Sequence, residues 1–404
     1  MTQQALIHSD NLPRPQAASA AWGAILAMTL CVAVLISSEF MPVSLLSPIA
    51  SDLGVTEGRA GQAISVSGIF AVLTSLFISN LARGTDRRLV LVSFSLILIV
   101  SGTIVTFAPN YPILMVGRAL LGVAIGGFWS MSTAIVMRLV PPGSVPKALA
   151  TLNAGNAISA TISAPLGSLL GSYIGWRGAF FAVVPLALAA LVWQWVSLPS
   201  LPARRSGRSP LVFKLLVRGP VAFGMASMLF LFAGQFALFT YLRPFLETVT
   251  LVSISTLSVF LLLMGLAGVA GTYLISGLLQ SRLFSILGAV PVAMAVVAIG
   301  LIVFGTSLPT TALLLACWGL LGTAVPVGWG TWLSRTMADD AESGGGLQVA
   351  TIQFAITLGA SVGGVLFDEA GWQATFVFAA ATLLGSSVFA FLAWRSTVRP
   401  RRLP

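Results

Sequence analysis

The chain has 404 residues, of which 57% are hydrophobic and 8% charged. A soluble globular protein carries about 25% charged residues, so a water-soluble fold with this composition would expose a greasy surface and is excluded. The net charge of +10 does not point to nucleic acid either. A nucleic-acid binder gathers its bases on one soluble face, and here they are scattered through short loops.

The polar tail, Met1 to Ala20, lacks a signal-peptide pattern. Beyond it, apolar runs long enough to span a bilayer recur to the end of the chain. They predict twelve transmembrane helices at roughly 21–48, 60–82, 89–108, 112–138, 147–173, 177–197, 220–245, 251–278, 284–305, 309–334, 347–368 and 373–395. The two cysteines, Cys31 and Cys317, lie in apolar runs of opposite halves and suggest no disulfide framework. With both termini on one side, all Lys and Arg of the 21 except Arg59, Arg118, Arg177 and Arg243 share that side. The positive-inside rule makes it cytoplasmic.

Midway, the stretch from Ser197 to Gly219 is rich in Pro, Ser and Arg and reads as a linker. A shift of 196 residues then lays Glu39-Phe40 on Gln235-Phe236, Pro48 on Pro244, and Gly167, Gly175, Trp176 and Phe180 on Gly363, Gly371, Trp372 and Phe376. A shift of 200 matches Leu121-Gly122, Ala124 and Trp129 to Leu321-Gly322, Ala324 and Trp329. The expected plan is all-α, with two pseudo-symmetric six-helix bundles at 21–197 and 220–395, a linker at 198–219, and cytoplasmic tails at 1–20 and 396–404. Such duplicated transporters hold substrate between the halves, near mid-membrane.

Several motifs resemble the major facilitator superfamily. Leu114-Met-Val-Gly-Arg118-Ala-Leu-Leu-Gly122 is similar to its buried-arginine motif, with Leu121 in place of the usual glutamine. Gly155, then eight intervening residues, then Ala164-Pro165-Leu166-Gly167-Ser168 resembles its antiporter motif, with Ala164 and Ser168 at usual glycine positions. Ser79-Asn-Leu-Ala-Arg83-Gly-Thr-Asp86-Arg87-Arg88 is a degenerate loop signature, with Arg83 where an acid is usual. Further segments run through nearly the whole chain: Glu39-Phe-Met-Pro-Val-Ser-Leu-Leu, Gly126-Gly-Phe-Trp-Ser-Met-Ser, Met137-Arg-Leu-Val-Pro-Pro, Val145-Pro-Lys-Ala-Leu, Phe232-Ala-Gly-Gln-Phe-Ala-Leu-Phe-Thr-Tyr, Pro326-Val-Gly-Trp-Gly-Thr-Trp and Ala338-Asp-Asp-Ala-Glu. They resemble the bacterial purine ribonucleoside efflux pumps, within the drug:proton antiporter group that also holds sugar and arabinose exporters. The resemblance implies a monomeric carrier in the bacterial inner membrane. It would export inosine- or guanosine-like nucleosides in exchange for protons, without a cofactor. Export of sugars or of multiple drugs is the alternative.

Glu39 is the only acid within the interior of a predicted helix. A charge at the bilayer centre costs ~2.5–3.5 kcal/mol on insertion scales, which points to proton exchange. The plainer reading places it at a wet helix end, terminated by Pro42. Arg118 lies at similar predicted depth and is the expected partner of Glu39; the plainer reading is snorkelling to the headgroups. Asn153, Asn156, Gln235, Thr240 and Gln353 offer hydrogen bonds to a ribose or a purine edge, or simply bond neighbouring helices. Phe40, Trp129, Phe236, Phe239, Tyr241 and Trp329 offer flat faces for a base, or ordinary packing. Arg83, Asp86, Arg87, Arg88, Gly155, Pro165 and Gly167 are expected to shape movement, with Pro165 bending its helix.

Other activities fit less well. Gly359-Ala-Ser361-Val-Gly363 has the spacing of a nucleophile elbow, but it lies in an apolar segment and the only histidine, His8, is in the tail. One His and two separated Cys argue against a metal site. The only lysines, Lys147 and Lys214, follow Pro146 and Phe213, so a nucleotide-binding phosphate loop is missing. No ring of charge suggests a channel.

Overall fold

The computed structural model describes residues 21–82, 84–141, 144–202, 212–337 and 341–398. The tail with His8, Arg83, the middle of the linker, Ala338-Asp339-Asp340 and the last six residues lie outside them.

The described chain is all helix: α1 (Trp22–Leu53), α2 (Glu57–Leu81), α3 (Arg87–Thr106), α4 (Tyr111–Leu139), α5 (Val145–Ser197), α6 (Gly219–Thr240), α7 (Leu242–Thr248), α8 (Ile254–Phe304), α9 (Leu308–Thr336) and α10 (Ala341–Val398). Ten stretches among the described residues are long and apolar enough to cross a membrane. Two of them, Lys147–Ser197 and Gly344–Thr397, run for 51 and 54 residues, where one crossing needs about 20. Each is broken by a glycine with left-handed φ, Gly175 (φ 73°) and Gly371 (φ 82°). Only glycine takes that conformation without strain, and the two positions match under the shift of 196. α8 breaks at Arg282 (φ −130°, ψ 34°).

Local chemistry sets several ends. α1 stops at Gly54, in the left-handed conformation, whose N–H bonds Ala50 O. Asp86 caps α3 through Arg88 N–H, Asn110 caps α4 through Ile113 N–H, and Ser253 caps α8 through Thr256 N–H. Many large apolar side chains face outward, among them Leu73, Phe77, Leu96, Val100, Val296 and Val303. Outward apolar faces on long helices suit lipid contact.

The buried residues form two cores. One joins α1–α5 and includes Tyr241; the other joins α6–α10 and includes Val43, Ile64 and Ala164. Across the boundary α2 packs on α10 and α5 on α8. The turns near Gly54, Ala108, Gly175 and Thr248 gather at one end of the molecule, called here the Gly54 end. Asp86, Leu139 and Leu201 gather at the opposite, Asp86 end.

Candidate functional site

α1 runs through Pro42 and Pro48 to Leu53, so Glu39 sits inside the helix rather than at its end and is 2% exposed. A proline has no N–H, and its ring pushes away the carbonyl four residues earlier. The freed carbonyls are Ser38 O and Ser44 O, and each is taken by an arginine. Arg118 Nη1 donates to Ser38 O at 2.6 Å, and Arg243 Nη1, from α7, donates to Ser44 O.

Arg118 is 1% exposed. Its remaining bonds run to Ala63 O (2.9 Å), Glu39 O (3.1 Å) and Ser67 Oγ (3.1 Å). The guanidinium therefore staples α1 and α2 to α4. The sequence suggested a pairing with the Glu39 carboxylate. The structure gives Arg118 the main-chain carbonyl of Glu39 instead, beside the proline-freed carbonyl of Ser38 that it also takes, while the carboxylate bonds Gln353. Snorkelling does not occur.

The Glu39 carboxylate turns to the other core. Gln353 Nε2, from α10, donates to its Oε1 at 3.3 Å, while Gln353 Oε1 is buried without a partner. Next to it, Phe40 stacks on Phe236 (centroids 5.5 Å) and meets Phe239 edge-on (6.4 Å); Phe236 and Phe239 are 5.9 Å apart. One element of the first core and two of the second thus converge: Glu39 and Phe40 from α1, Phe236 and Phe239 from α6, Gln353 from α10.

Other candidates fall elsewhere. Gln235 faces Gly322 of α9, with its Oε1 buried and unpartnered. Thr240 Oγ1 and Trp329 Nε1 are likewise buried without partners; Trp329 stands edge-on to Trp332 at 5.3 Å. Trp129 is half-buried against the first core. Asn153 is exposed and bonds Leu149 O, and Asn156 is half-buried. Tyr241 is fully buried and donates to Ala360 O at 2.8 Å, so it serves the seam between the cores.

That seam was not anticipated. At the Gly54 end, Asp368 of α10 accepts from Gly58 N–H (3.0 Å) and Thr56 Oγ1 (2.5 Å), placing a carboxylate on the first turn of α2. Gln62 Nε2 donates to Ser361 O, and Ser361 Oγ returns to Gln62 Oε1 at 3.1 Å. Ser65 Oγ donates to Thr357 O at 3.3 Å. A Cβ on Gly61 would strike the Tyr241 ring, so only glycine permits this approach. The signal was present in sequence: Gln353, Thr357 and Ser361 recur every four residues, one face of a helix.

At the Asp86 end, Asp86 accepts from Ser200 Oγ (2.5 Å) and Leu201 N–H (2.9 Å) as well as Arg88 N–H (2.8 Å). Partial desolvation opposes ionisation there, but these bonds and the nearby Arg138 charge outweigh it and hold the carboxyl below the usual aspartate range. Arg87 Nη1 donates to Ala82 O, and Arg88 lies over the Trp195 ring. Gly155 and Gly167 lie tight against α1, with Thr29 O and Ser44 Oγ where a Cβ would go. Pro165 lies inside α5, whose break falls at Gly175. Among the described residues, no three His, Cys, Asp or Glu are grouped to hold a metal ion.

The family profile described as Major Facilitator Superfamily matches residues 28–347. The chain belongs to the Major Facilitator Superfamily. As a member it is a multi-pass membrane protein and a transporter, not an enzyme. This Major Facilitator Superfamily chain is 50% identical over 400 residues, 98% of its length and 99% of the relative's, to a Pseudomonas aeruginosa protein named Transcription regulatory protein OpdE. It is 43% identical over 363 residues, 90% of each chain, to Purine ribonucleoside efflux pump NepI of Salmonella paratyphi B. Among solved structures, a bacterial homolog of the human lysosomal transporter Spinster, inward-facing and unoccupied, aligns with a TM-score of 0.76. That alignment covers 95% of this chain and 99% of that chain at 15% identity, a likeness of fold.

Proposed function

We propose that this transporter exports purine ribonucleosides in exchange for protons, by alternating access across the bacterial inner membrane. The observation that carries the proposal is the Glu39–Gln353 contact between the two cores, beside the Phe40–Phe236–Phe239 cluster. The identity to the Salmonella efflux pump supports the substrate class.

On this reading the halves are 21–197 and 220–395, crossing the membrane six times each, with the breaks at Gly175 and Gly371 as their turns. The Asp86 end and both tails are cytoplasmic, because the bases collect there. The seam of Tyr241, Asp368 and Gln62 closes the outer face, which makes this an inward-facing arrangement. A single chain in the lipid bilayer is the working unit, and protons and nucleoside are the species it carries.

Ionised Glu39 holds Gln353 by its amide N–H. A proton arriving from outside neutralises Glu39 and weakens that bond. In the ionised state the Glu39 carboxylate and the unpartnered Gln353 Oε1 offer acceptors to a ribose hydroxyl or a purine N–H, so protonation from outside removes an acceptor and releases the nucleoside there, which makes the coupling an exchange. The three phenylalanines supply apolar faces for the base. Arg118 fixes α1 beside Glu39 through Ser38 O, so a change at Glu39 reaches the packing of α1 on α2 and α4. Thr240, Gln235, Trp129, Trp329, Asn153 and Asn156 are secondary contacts on this reading. Gly155, Pro165, Gly167 and the loop Arg83, Asp86, Arg87 and Arg88 shape the movement.

The regulatory name of the Pseudomonas relative is accommodated by a carrier whose flux alters gene expression. Direct binding to DNA fits poorly with bases dispersed among membrane loops. The test is flux in proteoliposomes under an imposed pH gradient, with inosine, arabinose and a cationic dye as parallel substrates. Proton-driven inosine movement is expected. Sugar or dye flux without inosine flux would replace this reading with the alternative exporters.

A further inference from the structure

Two prolines of α1 leave two carbonyls without a helical donor, and the two arginines that take them come from different places. Arg118 reaches Ser38 O from α4, and its other bonds run to α1 and α2. Those helices all belong to the first core, so this bond survives any rearrangement of one core against the other. Arg243 reaches Ser44 O from α7, which packs in the second core. Both partners are buried, Ser44 completely and Arg243 to 5% exposure. Glu247, one turn further on, accepts from Arg243 Nε at 2.8 Å and sets the direction of the guanidinium. α7 is a separate helix of seven residues, divided from α6 at Tyr241. Pro244 lacks the N–H that would continue α6 through Thr240 O. The shift of 196 lays Ser47 on Arg243 and Pro48 on Pro244, so the first repeat has no matching arginine to offer in return.

We infer that Arg243 is a positioning residue for transport, a latch that holds the Gly54 end closed by bonding across the two halves to the carbonyl that Pro48 leaves free. While the seam is dry, parting α7 from α1 leaves a buried carbonyl without a donor and a guanidinium without an acceptor, and both losses cost free energy. Water entering between α1 and α7 can satisfy both groups, so opening and wetting go together. The break at Tyr241 lets α7 move without bending α6. Arg118 makes the same kind of bond but does not register the movement, because everything it touches stays on its own side. The latch presupposes the alternating access proposed above but not the identity of the cargo.

The test measures distances by double electron–electron resonance in the full-length protein in nanodiscs, with Cys31 and Cys317 replaced by Ser and no substrate added. Spin labels at the exposed positions Ser51 and Glu369 report the Gly54 end, and labels at exposed Thr85 and Thr397 report the Asp86 end. Arg243→Leu should raise the population open at the Gly54 end about 10-fold, with the Asp86 end closing in step. Pro48→Ala should act in the same direction with the arginine intact, because the restored N–H gives Ser44 O a partner within α1. Arg243→Lys should fall between wild type and Arg243→Leu, since an ammonium keeps one donor for Ser44 O. An unchanged distance at the Gly54 end in either Arg243→Leu or Pro48→Ala overturns the latch. So does lengthening at both ends together, the mark of a merely structural role. Should Arg243→Leu fail to fold, Pro48→Ala decides. Opening at the Gly54 end with no change at the Asp86 end keeps the latch and overturns alternating access. Failure of inosine flux leaves these distances untouched.

Discussion

At matched positions the first repeat carries Glu39 and Asp86, and the second carries Gln235 and Arg282. The backbone plan is shared, down to the left-handed glycines at 175 and 371. Charge is not shared. The first repeat buries an acid at its centre and an arginine, Arg118, beside it; the second meets that acid with neutral Gln353 and sets Phe236 and Phe239 against Phe40. A duplicated scaffold can thus divide its work, with proton exchange in one repeat and hydrogen-bonding capacity in the other. The same contrast recurs at the Asp86 end, where Asp86 bonds Ser200 and Leu201 in one repeat and exposed Arg282 stands at the matched position of the other.

Moving the acid is the strongest way to break this comparison. Glu39→Gln is expected to lower proton-driven inosine flux on the order of 100-fold while leaving inosine–inosine exchange intact. The double variant Glu39→Gln with Gln235→Glu should not restore it, because Gln235 faces Gly322 rather than Gln353. Recovery of pH-driven flux in the double variant would show that the repeats are interchangeable. Next comes the staple. Arg118→Leu leaves the proline-freed carbonyl of Ser38 buried without a donor, a loss of roughly 3 kcal/mol. Thermal unfolding in detergent should register it, and Arg118→Lys should recover only part, since one ammonium cannot span four acceptors.

A smaller effect is expected at the seam. Gly61→Ala forces the Tyr241 ring aside and should favour the outward-open form by about 1–2 kcal/mol. Cysteine labelling of the Gly54 end would detect this as faster modification, and an unchanged rate would show that Tyr241 is not what closes it. The smallest effect concerns Asp86. Its carboxyl lies below the ordinary aspartate value, so its stabilising bonds are fully present above that value and are lost as pH falls through the lowered one. Melting temperature should therefore decline in acid in the wild type, and that part of the decline should vanish in Asp86→Asn.

Much of this was legible in one dimension. Apolar runs mark the helices because the bilayer demands about 20 apolar residues per crossing. Glu39 and Arg118 stand out because charge is costly there. The partner of Glu39 was not legible. Spacing alone does not tell Gln353 from Gln235 as the partner of Glu39, and only the packing of α10 on α2 and α6 across the seam selects it. Asp368 falls at the end of the predicted helix 347–368, and only the placement of α2 brings Gly58 N–H against it.

The sequence by itself determined the medium, the helices, the repeat and the residues that are expensive to bury, since those follow from composition, periodicity and charge. Tertiary structure decided who meets whom. Two prolines in α1 free two carbonyls, and whether an arginine from α4 or from α7 reaches each depends on helices far apart in the chain. Hydrogen bonds are short and directional, so a pairing exists only once packing has brought donor and acceptor to within about 3 Å.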